Sequence, residues 1–298
     1  MRLAVLAPPG FASVELIRQT PDVEVVTELR DAEAILLAPR FGSVLAERWR
    51  DTANVRWIHA LGAGVDTLPF DLLQSRDVVV TNARGLYADA LAEFVVASML
   101  FFAKDLRRLV HQQAAHRWEP FTVERLEGQT LGIIGYGSIG EAIGRRATAL
   151  GMHLMTVRRR QEIGEPSVDD VLSACDFVAL STPLTPTTRG MIHAARLATM
   201  RANAVLINVS RGAVVDETAL ANALEQTRLR GAALDVFATE PLPADHRLWS
   251  LDNVLLSPHS ADQTADSHDR AMHFFLENLG RFQRGDSLEN VVDKVEQY

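Results

Sequence analysis

The sequence predicts an α/β protein built from two doubly wound parallel sheets with a cleft between them. Three observations carry this. Short β-rich runs alternate with helix-like segments along the whole chain, a pattern that gives parallel strands with helices on both faces. A long apolar helical stretch divides the alternation into two series. The second series opens on Leu131-Gly-Ile-Ile-Gly-Tyr-Gly-Ser-Ile-Gly140, an apolar run that ends in Gly135-x-Gly137-x-x-Gly140.

In the first series, residues 3–6, 23–26, 35–37, 55–58 and 78–80 read as strands, and 11–18 and 43–50 as helices between some of them. A helical stretch over 89–116 carries the chain onward. The second series reads as strands over 130–135, 153–157, 176–180, 204–209, 232–236 and 254–257, with helices such as 138–150 and 217–226 between them. A last helix over 264–283 leads to a tail that returns to the first domain. The domains are therefore expected at 1–98 plus 270–298, and at 99–269.

Composition narrows the function. The 298 residues are 47% hydrophobic and 23% charged, as in ordinary globular proteins. A net charge of −8 and a pI near 5.6 argue against nucleic acid or an anionic membrane as partner. Cys175 is the one cysteine, so no internal disulfide forms, and a cytoplasmic location is expected. The first residues enter a strand pattern with no signal-peptide features. The most apolar stretch, 94–103, is about half the ~20 residues of a membrane span. An apolar helix of this kind is expected to be buried, between domains or between the subunits of a homodimer. His111 and His116 are too far apart for one helix face, and neither HExxH, paired Cys nor G-x-S-x-G occurs.

A strand, a Gly-x-Gly-x-x-Gly turn and a helix can seat a dinucleotide pyrophosphate, because the glycines permit a tight turn and close backbone approach. In such sheets ligands lie beyond the carboxyl ends of the strands. Arg211 follows 204–209, Glu240 follows 232–236 and His259 follows 254–257. These three residue types suit one reaction, reduction of a 2-keto acid by a nicotinamide hydride. A histidine donates the proton. A carboxylate beside the imidazole holds its tautomer and favours its charged form. An arginine offers a planar fork for the substrate carboxylate.

The chain resembles the D-isomer-specific 2-hydroxyacid dehydrogenase family. The resemblance rests on residues 132–151, Ser181-Thr-Pro-Leu-Thr185 with Thr188, the segments 207–216 and 233–242, and Ser257-Pro-His259. It implies a flavodoxin-like substrate domain and a Rossmann dinucleotide-binding domain. It implies Arg211 as carboxylate binder, Glu240 as partner of the catalytic histidine, His259 as acid/base, and Asp235 facing the nicotinamide carboxamide. The cofactor set it implies is Gly135, Tyr136, Gly137, Ser138, Ile139, Gly140, Arg158, Arg159, Pro183, Thr188, Val209, Ser210, Asp235 and His259. Substrate would meet Gly62, Ala63 and Gly64 in the turn after 55–58, together with Arg211 and His259.

Three positions depart from the family pattern. Arg158, opening Arg158-Arg159-Arg160, stands 18 residues after Gly140 where NAD-using members carry an acid. A carboxylate there accepts from the ribose hydroxyls, whereas arginine pairs with a 2′-phosphate, so NADP(H) is expected to be preferred over NAD(H). Ser181 replaces a common histidine, and Asp262 replaces a small residue three positions after His259. Arg84, Tyr87 and Trp118 are expected near the cleft or a subunit interface. No regulatory domain is expected after the C-terminus, which argues against the long phosphoglycerate dehydrogenases, and the NADP(H) reading favours glyoxylate or hydroxypyruvate as substrate. The competing readings are an NAD-using dehydrogenase for a bulkier keto acid, a non-catalytic dinucleotide-sensing scaffold, and a formate- or phosphonate-type dehydrogenase.

Overall fold

The computed structural model describes residues 1–11, 13–159 and 164–298. The chain forms two compact units, residues 1–87 with 265–298, and residues 88–264. Both are parallel-sheet α/β folds.

The first unit has strands β1 (Arg2–Leu6), β2 (Glu24–Val26), β3 (Ala34–Leu37), β4 (Trp57–Ala60) and β5 (Val79–Asn82), with helices α1 (Ser13–Arg18), α2 (Gly42–Glu47) and α3 (Phe70–Gln74). The strand order is β2-β1-β3-β4-β5 with every pair parallel, the flavodoxin-like arrangement. Alternate residues feed opposite faces, as the pleat requires. Ala4, Leu6, Ile35, Leu37, Ile58 and Val80 enter one core cluster. Leu3, Ala34, Leu36 and Trp57 enter the other, together with Phe275 and Leu279 from the C-terminal segment. The Trp57 ring stacks between Phe275 at 5.7 Å and Phe282 at 5.2 Å. The tail then runs beside β5, where the Val292 amide donates to the Val80 carbonyl at 2.8 Å. Lys294 Nζ caps three backbone carbonyls, those of Leu73, Arg76 and Val78.

The second unit begins with α4 (Ala88–Ala103) and α5 (Leu106–Ala114). The expected single helix over 89–116 is therefore broken. Asp105 adopts φ +47° and its side chain accepts the Arg108 amide, starting a new helix. An aspartate is among the best residues for that cap. α4 packs on a helix of its own unit, α6 (Ser138–Ala149), and Arg146 of α6 pairs with Asp89 at 3.0 Å. The whole of α4 thus belongs to the second unit, and the chain divides at 87/88 and 264/265 where the sequence reading divides it at 98/99 and 269/270.

The second sheet comprises β6 (Thr130–Ile134), β7 (His153–Val157), β8 (Phe177–Leu180), β9 (Val205–Asn208), β10 (Gly231–Leu234) and β11 (Val254–Leu256). Between them lie α7 (Val168–Ala174), α8 (Ala194–Thr199) and α9 (Glu217–Glu225), and α10 (Ser267–Arg284) leads into the first unit's tail. The order β11-β10-β9-β8-β6-β7 is parallel throughout. β7 lies on one side of β6 and β8 on the other, so the chain reverses direction across the sheet at β6. A crevice at the carboxyl ends of β6 and β8 follows from that reversal. Cys175 is buried against Gly132, and burial pushes its thiol up to about 11, the state of a packing residue.

Among the described residues no helix is long and apolar enough to cross a membrane. None of their His, Cys, Asp and Glu side chains forms a group able to hold a metal ion.

A buried histidine makes the fold sensitive to acid. His59 of β4 is fully buried, between the rings of Trp57, Phe274 and Phe275. Its Nδ1 lies 2.7 Å from Thr81 Oγ1, and its Nε2 has no partner. Burial pushes its pKa from 6.5 down to about 3. The unfolded chain takes up a proton that the folded one refuses, so stability is complete above the unfolded value and falls as pH drops from 6.5 towards about 3. The loss is expected to reach about 3 kcal/mol two pH units below the unfolded value. Urea midpoints measured between neutral and mildly acidic pH should fall less steeply for His59→Asn than for the unmodified chain.

Candidate active site

The glycine turn is shaped by backbone contacts. Gly135 has φ +100°, and a Cβ there would lie 2.6–2.7 Å from the Ser181–Thr182 backbone. The Gly135 and Tyr136 amides both donate to the Val157 carbonyl, at 3.0 and 3.1 Å. Ser181 Oγ donates to the Gly135 carbonyl at 2.8 Å. Ser181 thus steadies the glycine turn from the end of β8, a contact the sequence reading did not foresee. Gly140 brings α6 against the turn, since a Cβ there would be 2.6 Å from the Gly135 carbonyl oxygen.

Gly137 differs. A Cβ on it would meet nothing within 4 Å. It caps α6 without a side-chain hydrogen bond, so the first amides of that helix, at Ser138 and Ile139, receive no side-chain acceptor from the cap, and the positive end of the helix dipole lies behind them. This cradle fits a dinucleotide pyrophosphate. Arg158 is exposed directly after β7, with its guanidinium 5.0 Å from the centre of the Tyr136 ring. Because β7 pairs with β6, Arg158 stands beside the glycine turn. Arg159 is also exposed, and Arg160 lies outside the described residues.

Beyond β8, Thr188 Oγ1 donates to the Pro183 carbonyl at 2.6 Å and accepts from the Thr185 amide at 2.8 Å, closing that loop. Val209 and Ser210 are buried after β9. Asn208, at the end of β9, shapes the segment. Its Oδ1 accepts from the amide and hydroxyl of Ser210, and its Nδ2 donates to the Arg211 carbonyl at 3.1 Å. Arg211 is half-buried and donates through Nη1 to the Ser210 carbonyl at 2.7 Å. Gly212 presses on the next loop, since a Cβ there would lie 1.9 Å from the Phe237 carbonyl carbon.

The loops after β10 and β11 bring Glu240 and His259 together. Glu240 Oε1 accepts from the Phe237 amide at 3.1 Å, and Oε2 lies 2.8 Å from His259 Nδ1. A carboxylate only accepts, so Nδ1 carries the proton and Nε2 is the nitrogen left to exchange one. The two side chains are 20% and 33% exposed, protected yet reachable. His259 has φ +54°, a costly conformation for a side chain of its size. Asp235 holds it there. This carboxylate is 1% exposed, and its Oδ1 accepts from Ser257 Oγ at 2.6 Å, the Ser260 amide at 2.9 Å and the Ala261 amide at 3.0 Å. Burial, the largest effect, raises its pKa, and the three hydrogen bonds oppose that rise.

Two further residues support the loop that carries Glu240. Glu217 Oε2 accepts the Ala238 amide at 3.0 Å, and its Oε1 lies 3.3 Å from His246 Nε2. No spacing in the sequence announces either contact. Asp262 is half-buried, and no described contact links its side chain to His259. In the first unit, Gly62, Ala63 and Gly64 follow β4, Tyr87 donates to the Leu61 carbonyl at 2.9 Å, and Arg84 is exposed. Trp118, in the second unit, is 94% exposed.

A parallel sheet whose reversal point carries this turn defines a dinucleotide-binding fold. The model for the NAD-binding domain of D-isomer specific 2-hydroxyacid dehydrogenases matches residues 96–261. Over 97% of its length the chain is 34% identical to a glyoxylate reductase of Thermococcus litoralis, covering 88% of that protein. It is 31% identical over 98% of its length to a D-3-phosphoglycerate dehydrogenase of Methanocaldococcus jannaschii, of which it spans 59%. The NADPH-dependent glyoxylate/hydroxypyruvate reductase of Sinorhizobium meliloti, solved with NADP and malonate, superposes with a TM-score of 0.85 at 25% identity, covering 99% of this chain and 97% of that one. The chain belongs to the D-isomer specific 2-hydroxyacid dehydrogenase family of NAD(P)-dependent oxidoreductases.

The two glycines should separate folding from cofactor binding. Gly135→Ala meets backbone at a positive φ and should cost about 2 kcal/mol or more in a urea titration. Gly137→Ala should unfold like the unmodified protein, while the added methyl weakens NADPH binding about tenfold or more, read by nucleotide fluorescence.

Proposed function

We propose that the protein reduces a small 2-keto acid of the glyoxylate or hydroxypyruvate type to the D-2-hydroxy acid, with NADPH as reductant. The observation that carries this reading is the Glu240–His259 pair on the carboxyl edge of the dinucleotide-binding sheet, joined at 2.8 Å. When bound, the nicotinamide supplies a hydride to the keto carbon. His259 Nε2 delivers the proton to the keto oxygen, and Glu240 fixes the ring through Nδ1. Arg211 takes the substrate carboxylate through its planar fork, and Gly62, Ala63 and Gly64 of the first unit are assigned to carboxylate binding through their amides. Asp235, besides holding the His259 loop, is assigned to the nicotinamide carboxamide. Pro183, Thr188, Val209 and Ser210 line the cofactor's path beyond β8 and β9.

The preference for NADPH rests on Arg158. It stands where an acid would repel a 2′-phosphate, and Arg159 adds a second positive charge. The Sinorhizobium reductase, similar in fold, is itself NADPH-dependent. Its substrates, and those of the Thermococcus enzyme, set the substrate class proposed here.

We also propose a homodimer located in the cytoplasm. α5 buries none of its residues, and Leu109, Val110 and Trp118 expose apolar surface close together in the chain, a pattern that marks association surfaces. A second copy of the chain is the occupant, and light scattering should return twice the 32.8 kDa chain mass. The single buried Cys175 fits a reducing compartment.

The test is a keto-acid panel of glyoxylate, hydroxypyruvate, pyruvate and phenylpyruvate, followed through NADPH and NADH absorbance. His259→Ala should lower kcat by about 10²–10⁴ with NADPH affinity retained. Unchanged turnover would end the assignment. Arg158→Asp should shift the ratio of kcat/KM values towards NADH about tenfold or more. Equal use of both cofactors by the unmodified enzyme would refute the NADPH preference.

A further inference from the structure

The turn after β4 has a one-sided backbone. Three successive carbonyls are tied back into the first unit. The Leu61 carbonyl accepts from Tyr87 Oη at 2.9 Å, the Gly62 carbonyl from the Ala83 amide at 3.2 Å, and the Ala63 carbonyl from Asn82 Nδ2 at 2.7 Å. In a planar trans peptide the carbonyl and the following N–H point in opposite directions. Pinning the carbonyls of 61, 62 and 63 therefore turns the amides of Gly62, Ala63 and Gly64 to the other side. Among the described residues none of these three amides has a protein acceptor. Successive backbone amides left to face away from the protein can form a cradle for an anion.

We propose that Asn82 is the positioning residue for the substrate carboxylate, acting through the Ala63 carbonyl. This rests on the keto-acid reading above, which assigns these amides to the carboxylate, and adds what holds them. Of the three pins, Asn82 supplies the shortest, from a side chain that is 3% exposed at the end of β5. Its orientation is set, because Oδ1 accepts from the Arg84 amide at 3.3 Å and leaves Nδ2 to face Ala63. The neighbouring amide, Ala83, pins Gly62, so one strand end governs two of the three peptides. Without the Asn82 donor the Ala63–Gly64 peptide is free to rotate, and the site must restore its orientation on each binding event. That cost falls on anion binding. The dinucleotide cradle at Gly135–Gly140 is built from other residues and should be spared.

Asn82→Asp replaces the donor with an acceptor facing a carbonyl oxygen at nearly unchanged volume. Asn82→Ser is too short to reach Ala63 and adds no charge. Both variants, checked for folding by circular dichroism and thermal melting, would be assayed as holoenzyme with NADPH. One arm measures kcat and KM for glyoxylate. The other measures calorimetric binding of oxalate, a planar carboxylate probe that needs no turnover. The expected result is a rise of about tenfold or more in both glyoxylate KM and oxalate Kd, with kcat and NADPH Kd within about threefold of the unmodified enzyme. Unchanged KM and oxalate Kd in a folded Ser variant would overturn the proposal. A proportional loss of kcat, NADPH affinity and KM would also overturn it, since that marks general loosening. If the unmodified protein turns over no keto acid yet binds oxalate, the functional reading fails while the oxalate arm still decides on Asn82. If it binds no oxalate, the proposal falls.

Discussion

The active edge of the second sheet depends on one buried carboxylate. Asp235 gathers three donors from the segment that follows β11 onto a single oxygen. Burying a carboxylate costs several kcal/mol, and charge-assisted hydrogen bonds to backbone amides offset that cost. The consequence reaches further than the local balance. His259 occupies a left-handed backbone conformation, which persists only where surroundings overdetermine it. The two amides that follow His259 are bound to Asp235, so the histidine's backbone has no other place to go. Its ring then meets Glu240, which is itself held by the Phe237 amide. The geometry of the pair is thus inherited from a carboxylate that need not touch a substrate.

The same dependence runs through the neighbouring loops. Gly212 lies so close to the Phe237 backbone that no side chain fits, which locks the Arg211 segment to the Glu240 segment. Glu217 takes the Ala238 amide of the same segment. Arg211, Glu240 and His259 are far apart in sequence, but each loop is braced by its neighbour. Removing one brace should therefore disturb more than one functional side chain, and effects of paired substitutions along this edge should not add.

Much of this was legible in the sequence because parallel sheets impose a rule. Strands buried on both faces appear as short apolar runs, and ligand-binding residues follow their carboxyl ends. That rule, with the chemistry of the side chains, singled out Arg211, Glu240 and His259, and the Gly-x-Gly-x-x-Gly spacing marked the glycine turn. What the sequence could not show were partners separated by long stretches of chain. Nothing in the spacing links Ser181 to the Gly135 carbonyl, or Glu217 to the Ala238 amide. The break at Asp105 was hidden for another reason. Apolar periodicity continues through it, and one aspartate in αL conformation looks the same in sequence as one on a helix surface. The assignment of α4 followed the same logic, since its apolar faces did not reveal which neighbour would cover them.

One signal was present and went unused. Val-Val-Thr-Asn82, Val-Leu-Ile-Asn208 and Ala-Ala-Leu-Asp235 are each a β-rich run, apolar but for Thr81, that ends on Asn or Asp. All three side chains are buried, at 3%, 1% and 1% exposure. Asn and Asp side chains imitate the hydrogen bonding of a turning backbone. At the end of a buried strand they have few partners except the loop the strand feeds. Asn208 braces the Arg211 backbone, Asp235 the His259 segment and Asn82 the Gly62–Gly64 turn. The two units differ in strand order and in the chemistry of their loops, yet both orient backbone polar groups with a buried polar residue at a strand's last position or the one after it. A strand that is apolar to its end could deliver a loop to the same place, but the direction of the loop's amides and carbonyls would then be set by the loop alone. The polar terminus transfers that decision to the rigid sheet, the part of the molecule best able to hold it.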